Sequence, residues 1–242
     1  MRADQYLTAN GHYDSRARAQ AAIKAGLVSV DGKRVKKPSE KIKAGAVVTA
    51  GREHPWVSRG GVKLDHALTI FGVDPSGRTA LDVGASTGGF SHVLTARGIE
   101  KVYAVDVGHG QLHANLHGHP KIISMEGQDA RTLSPTQFDP APDLIVCDAS
   151  FISAMKVLGA PLGLAAKSAD LITLVKPQFE VGKINIGRGG LVKTEELGLR
   201  ALDSVKQWVR AQGWSVVASD VSPIKGGSGN TEYLLHAKRD AG

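Results

Sequence analysis

Thr79-Ala-Leu-Asp-Val-Gly-Ala-Ser-Thr-Gly-Gly-Phe90 decides the fold. Ala80 to Val83 is a short apolar run that breaks into a glycine-rich turn at Gly84, Gly88 and Gly89, and a helix opens at Phe90. A strand, a glycine turn and a helix in that order form the entry to a nucleotide-type pocket. Glycine lets the chain take positive φ and lets a ligand approach the backbone, while the next helix leaves its first N–H groups free to face that ligand.

The spacing narrows the ligand. A dinucleotide fingerprint reads G-x-G-x-x-G, whereas this turn reads G-x-x-x-G-G with Asp82 two residues before its first glycine. Pyrophosphate suits such an acidic turn poorly. A ligand with positive charge suits it better, and S-adenosylmethionine carries both a sulfonium and an amino group. A second apolar run, Val102-Tyr-Ala-Val-Asp106, ends in an acid about 20 residues on, where nucleoside-binding α/β folds hold the ribose hydroxyls. A plain strand-to-helix turn explains the glycines but not both acids.

The 242 residues, 42% hydrophobic and 22% charged, suffice for one full core and a small second unit. Cys147 is the only cysteine, which excludes an internal disulfide and a cysteine-based zinc site and fits a reducing cytoplasm. No apolar leader and no run of about 18 uncharged apolar residues occurs, so the expectation is a cytoplasmic protein with no membrane partner. The net charge of +7 is unevenly spread: residues 1–52 hold 11 Lys and Arg against 4 Asp and Glu, and the remainder holds 19 of each. A basic excess confined to the first fifth points to an appended module that meets a polyanion, most often nucleic acid.

Within that module Asp4 to Asn10 reads as a helix stopped by Gly11. Asp14 or Ser15 caps a second helix, Arg16 to Ala25, ended by Gly26. Asp31-Gly32 between Leu27–Val30 and Val35 is a hairpin signal. Arg2, Arg16, Arg18, Lys24, Lys33, Arg34, Lys36 and Lys37, with Arg59 just beyond, are the candidate RNA contacts, made to phosphate and not to bases. A merely solvated basic face is the alternative.

Residues 1–50 resemble the small alpha-L RNA-binding domain of a ribosomal protein and some pseudouridine synthases, through Arg16, the Gly26 turn and Val30-Asp-Gly32. Trp56-Val-Ser-Arg-Gly-Gly-Val-Lys63, Leu81 to Phe90, Ala104-Val-Asp-Val-Gly108, Asp148 with Ser150-Phe-Ile-Ser153, and Leu174-Val-Lys-Pro-Gln-Phe-Glu180 together resemble the TlyA (haemolysin-A-like) family. That resemblance covers nearly the whole chain. It implies 2′-O-methylation of ribosomal RNA with S-adenosylmethionine on an FtsJ-type fold, with ribosomal RNA or a ribosomal subunit as partner. Family members differ in taking one or both subunits, those of wider range tending to longer ends. The short ends here lean toward the large subunit and one of its cytidines.

His54-Pro55 punctuates the end of the module, giving an RNA-binding domain over 1–52, a linker over 53–59 and a methyltransferase domain over 60–242. Ser58 can cap a helix through Lys63 to Phe71, closed by Gly72. Strands near 79–83, 101–106, 121–125, 143–148 and 170–175 alternate with helices near 89–97, 109–116, 151–166 and 195–212. Such alternation predicts an α/β, Rossmann-like parallel sheet covered on both faces, behind a small N-terminal α+β domain. Two last strands, near 215–220 and 231–236, are separated by too short a loop for a crossover helix, so the expected seven-stranded sheet ends in an antiparallel pair.

Ligand and chemistry belong at the carboxyl ends of parallel strands. Asp148 and Lys176 end the fourth and fifth strands, Lys63 precedes the first, and Glu232 begins the last, which runs the opposite way. All four converge on one edge, and the resemblance assigns them to the Lys-Asp-Lys-Glu tetrad of FtsJ-type ribose methyltransferases. A ribose hydroxyl is a poor nucleophile, so a group must accept or steer its proton. Lys176 is the candidate base, with burial and nearby Lys63 favouring its neutral form, Asp148 orienting it and Glu232 tying down Lys63. An orienting role for a charged Lys176 stands beside that reading.

For the cofactor the expected contacts are Asp82, Gly84, Ser86, Thr87, Gly88, Gly89, Phe90, Asp106, Val107, Asp129 and Asp148, with Asp129 placed to meet the adenine amino group. The Gly182 to Gly190 loop, with Lys183 and Arg188, is basic enough to close over RNA. Amino-directed base methylation lacks its Asn/Asp-Pro-Pro-aromatic clamp, since the segment reads Asp148-Ala-Ser-Phe151. Carbon-5 methylation would need Cys147, which reads as buried packing. No P-loop occurs, and His109, His113 and His117 at helical spacing read as a stripe and not as a metal site, so no metal is expected. An RNA-binding protein with a vestigial pocket and a membrane-lytic haemolysin are the remaining alternatives.

Overall fold

The computed structural model describes residues 1–13, 15–51 and 54–240, so the Asp14 cap and the domain end and linker start at 52 and 53 lie outside the described residues. The chain forms two compact units, Met1–Pro55 and Trp56–Gly242.

The first unit contains helices α1 (Ala3–Ala9) and α2 (Arg16–Ala25) and strands β1 (Val28–Val30), β2 (Lys33–Arg34) and β3 (Val48–Ala50). Ser15 caps α2 by accepting from the N–H of Arg18, and Gly26 ends it at φ +79°. Asp31 and Gly32 both take positive φ, which turns β1 antiparallel onto β2, and β3 pairs with the other side of β1. Leu7, Ala19, Ile23, Val28, Val35 and Ile42 form its core.

The second unit opens with α3 (Arg59–Phe71), then β4 (Thr79–Val83), α4 (Gly89–Ala96), β5 (Lys101–Asp106), β6 (Ile122–Glu126) and β7 (Leu144–Cys147). It continues through α5 (Ala154–Val157), α6 (Gly159–Leu164), β8 (Ala169–Val175), α7 (Pro177–Glu180), α8 (Glu195–Ala211), β9 (Ser215–Val221) and β10 (Tyr233–Arg239). The strands form one seven-stranded sheet ordered β6-β5-β4-β7-β8-β10-β9. Pairs from β6 to β8 are parallel, and β10 runs antiparallel to both β8 and β9. The expected doubly covered sheet with an antiparallel ending is the fold observed.

Alternation along the strands builds two cores. Leu81, Val83, Ile145, Leu171 and Val175 pack on one face with α5, α6 and α8, while Ala80, Val146, Ile172 and Leu174 pack on the other with α3 and α4. Cys147 is buried in the first core, and burial pushes its thiol up to about 11, as packing and not nucleophilic chemistry requires.

Four expectations change. No α-helix spans 109–116: the N–H groups of Gly110, Gln111 and Leu112 donate to the Glu126 carboxylate, and only a 3-10 turn at Ala114–Leu116 forms. The helix expected over 151–166 is two short ones, because Pro161 has no N–H to offer the carbonyl of Val157. Glu232 precedes the last strand, which begins at Tyr233. Ser58 occupies the cap position of α3 but its side chain makes no capping bond.

Candidate active site

The turn after β4 is shaped by a close approach. Gly84 has φ +79°, and a Cβ there would sit 2.8 Å from the Cα of Ala149, so only glycine lets the loops after β4 and β7 touch. The N–H groups of Gly84 and Ala85 both donate to the carbonyl of Val105, at 2.9 and 3.1 Å. Asp106 then ties the loops after β4 and β5 together: its Oδ2 accepts from Ser86 N and its Oδ1 from Gly108 N, both at 2.8 Å.

These loops enclose a cavity of about 510 Å³ at the carboxyl ends of β4, β5 and β7, a size that suits a nucleoside. Of the eleven expected cofactor contacts, Gly84, Ser86, Asp106, Val107, Asp129 and Asp148 line it, and Asp82, Thr87, Gly88, Gly89 and Phe90 do not. Packing explains most of the second group. Gly88 lies under Leu112 and Leu116, Gly89 against Ser58, and Phe90 in the core shared by α3 and α4, so these glycines serve the approach of protein to protein. Asp82 is wholly buried, its Oδ2 accepts from Ser91 Oγ at 2.7 Å, and its Oδ1 has no partner among the described residues. Burial, reinforced by the charges of Asp148 and Asp106 against the opposing Ser91 bond, raises the carboxyl to about 7.

The four ionisable residues form two pairs. Lys63, on α3, bonds Glu232 at 2.6 Å. Lys176 Nζ lies 2.6 Å from Asp148 Oδ1, at an angle unsuited to a hydrogen bond, and donates to the Asp148 carbonyl at 3.0 Å and to Ser150 Oγ at 2.7 Å. Strand register places them at one edge. Tyr233 pairs with Val175, so Glu232 lies across from Lys176, and Cys147 pairs with Thr173, so Asp148 follows on the neighbouring strand. The first turn of α3 reaches the same edge, where a Cβ at Gly60 would sit 3.1 Å from Asp148 Oδ2. Asp148 belongs both to the cavity wall and to the lysine pair, and its side chain stays 20% exposed against 8% for Lys176.

The sequence did not single out several neighbours. Ser150 holds Lys176. Arg131 grips both Asp129 oxygens and holds that carboxyl down to about 2, so Asp129 enters the cavity already partnered. Phe151, at the rim, is 92% exposed with φ +66°, its ring 5.5 Å from that of Phe179. An exposed aromatic held in a costly backbone conformation is a functional signal, and the sequence shows Phe151 only within the stretches Asp148-Ala-Ser-Phe151 and Ser150-Phe-Ile-Ser153. His113 and His117 bond local backbone in a loop and not on a helical stripe. Among the described residues no three His, Cys, Asp or Glu side chains gather as a metal site.

The expected RNA contacts of the first unit are at its surface, and Arg2 and Arg16 both bond Asp4. Arg34 lies over Gly26, and the backbone N–H groups of Lys36 and Lys37 donate to Glu40. In the second unit Arg59 donates to the carbonyl of Lys225, in the loop before β10.

Residues 56–239 match the FtsJ-like methyltransferase family and residues 1–48 match the S4 domain. The chain is 43% identical over 236 residues to the 16S/23S rRNA (cytidine-2'-O)-methyltransferase TlyA of Mycobacterium tuberculosis, covering 97% of this chain and 88% of that one. It is 37% identical over 237 residues to Hemolysin A of Brachyspira hyodysenteriae, covering 98% and 99%. The solved structure of a hemolysin candidate from Streptococcus thermophilus superposes with a TM-score of 0.79 at 37% identity, over 99% of this chain and 88% of that one.

Proposed function

The chain belongs to the TlyA (haemolysin-A-like) family of FtsJ-like methyltransferases joined to an S4 domain, and we propose that it methylates the 2′-hydroxyl of a cytidine in ribosomal RNA, using S-adenosylmethionine. The observation that carries this reading is the placement of Asp148, one side chain shared between the wall of a nucleoside-sized cavity and the lysine pair beside it. The RNA-binding first unit brings the substrate, and large-subunit RNA is its proposed source.

The residues present fit the cofactor. Asp106 at the end of β5 faces the cavity where ribose hydroxyls are held, Asp129 offers an acceptor for an adenine amino group, and the wall near Gly84 and Ser86 is backbone that a ligand can approach. When bound, S-adenosylmethionine supplies an activated methyl group. Asp82 supports the turn from below and is not a cavity contact.

Lys176 orients the sugar oxygen. Nζ donates to the Asp148 carbonyl and to Ser150 Oγ and lies 2.6 Å from the Asp148 carboxylate, a setting of donors and charge that supports the orienting role. Exchange of the Ser150 contact for the substrate oxygen directs a lone pair at the incoming methyl and stabilises charge on that oxygen as its proton leaves to solvent. Glu232 fixes Lys63 at the same edge.

The alternatives are not favoured. A vestigial pocket would not need both lysine–carboxylate pairs, and no helix among the described residues is long and apolar enough to cross a membrane. Acting on ribosomal RNA places the protein in the cytoplasm. The test is incubation of 16S and 23S RNA, free and in subunits, with methyl-labelled S-adenosylmethionine, followed by alkaline hydrolysis. A 2′-O-methyl blocks cleavage, so label is expected in an alkali-resistant dinucleotide beginning with cytidine, and label in a base contradicts the proposal.

A further inference from the structure

Asp4 is an aspartate on α1 whose side chain is shut off from water by the arginines expected to meet RNA. Its Oδ1 accepts from Arg2 Nε at 3.0 Å and from the N–H of Gln5 at 3.0 Å. Its Oδ2 accepts from Arg2 Nη2 at 3.2 Å, Arg16 Nη2 at 2.9 Å and Gln20 Nε2 at 2.8 Å. Arg2 precedes α1 and Arg16 opens α2, so one carboxylate gathers two guanidiniums from separate elements. Each arginine nevertheless keeps about half its side chain in solvent, 45% and 54%.

Two like charges this close repel unless a third charge holds them. With Asp4 between them the group still carries one positive charge in excess, and among the described residues neither fork is used up, since Arg2 spends two of five donors on Asp4 and Arg16 one. The backbone is fixed as well: Arg2 bridges Lys41, and the N–H of Ala3 donates to the Glu40 carbonyl. The Arg2 bonds first, then those of Gln20 and Arg16, hold the Asp4 carboxyl well below the usual carboxylate range, so it stays charged wherever the protein works.

We infer that Asp4 is a positioning residue for RNA binding: beneath Arg2 and Arg16, it sets the two guanidiniums side by side as a clamp for backbone phosphate. Arginine forks match phosphate oxygens in pairs, and a preset orientation spares the ordering cost on binding. This rests on the reading of the first unit as the RNA-binding part of a ribosomal RNA methyltransferase.

Charge and positioning predict opposite signs, which makes the inference testable. Binding of the full chain to purified 23S RNA is measured across a range of salt for the parent and for Asp4→Asn, Arg2→Gln, Arg16→Gln, Arg2→Lys and Arg16→Lys, with thermal unfolding of each followed in parallel. Asp4→Asn raises the local charge by one, yet the clamp predicts binding weaker by roughly tenfold, as expected for a misaligned charge-assisted contact. Both Lys variants keep their charge and are expected to weaken binding several-fold. Asp4→Asn binding as tightly as the parent or more so, while the Gln variants weaken and lower the salt slope by about one, overturns the clamp and leaves the RNA reading standing. Gln variants that bind like the parent overturn the RNA reading of this surface itself. If Asp4→Asn unfolds, the Lys variants decide: unchanged affinity overturns the inference and weakened affinity supports it.

Discussion

Lys63 Nζ and Glu232 Oε2 lie 2.6 Å apart across 169 residues of chain, and the two side chains keep only 9% and 3% of their surface in solvent. A charge so enclosed is tolerated only while its partner is present. Glu232→Gln strands the Lys63 charge and is expected to destabilise the protein by about 3–5 kcal/mol in urea unfolding. Lys63→Met with Glu232→Leu removes both charges and is expected to recover most of that loss while methyl transfer stays absent. A stable and active double variant would make the pair a structural ion pair alone.

Asp82 gives the fold a pH dependence of unusual sign. Its folded-state carboxyl is raised to about 7 against 3.8 in the unfolded chain, so between these values the folded state binds more protons and stability falls as pH rises. The contribution is absent below about pH 4 and complete above about pH 7. Asp82→Asn keeps the shape and the Ser91 bond without the charge, and is expected to be more stable than the parent at pH 8, by at most about 4 kcal/mol, with the gap closing toward pH 4. Unfolding curves at pH 4, 6 and 8 check it, and a parent that gains stability from pH 4 to 7 relative to the variant refutes the assignment.

Gly84→Ala places a methyl 2.8 Å from the Ala149 backbone in a positive-φ residue. Left-handed strain and overpacking together are expected to cost about 2–4 kcal/mol. Separation of the loops after β4 and β7 should also weaken S-adenosylmethionine binding, read by calorimetry on the folded fraction. Wild-type affinity would mean the contact supports the fold only.

The glycine turn at 84–89 and the polar residues after apolar strands made the sheet and its working edge legible, because a charge ending a buried strand has few other places to be. Which glycines line the cavity was not legible. Gly84 and Gly88 look alike in sequence, but one meets the loop after β7 and the other is capped by Leu112 and Leu116, contacts set by chain distant from the turn. The segment 109–116 carried helical spacing, and a side chain 14 to 16 residues away, Glu126, took the N–H groups of its first turn. Asp4 read as an ordinary helix-start acid, since nothing local showed that Arg2 and Arg16 would close over it. Phe151 was invisible as a rim residue because its exposure follows from a positive φ that only the folded backbone displays.

Lys176 is the side chain on which the account turns, and its removal is the direct test. Purified Lys176→Ala and parent protein are incubated with methyl-labelled S-adenosylmethionine and 23S RNA, and single-turnover transfer to the cytidine 2′-oxygen is read beside cofactor and RNA affinities. The account predicts that both affinities stay within a few-fold of the parent while transfer falls by at least about a hundredfold, the scale of losing an orienting and electrostatic contact. Transfer at the parental rate, or label found in the base, would contradict it.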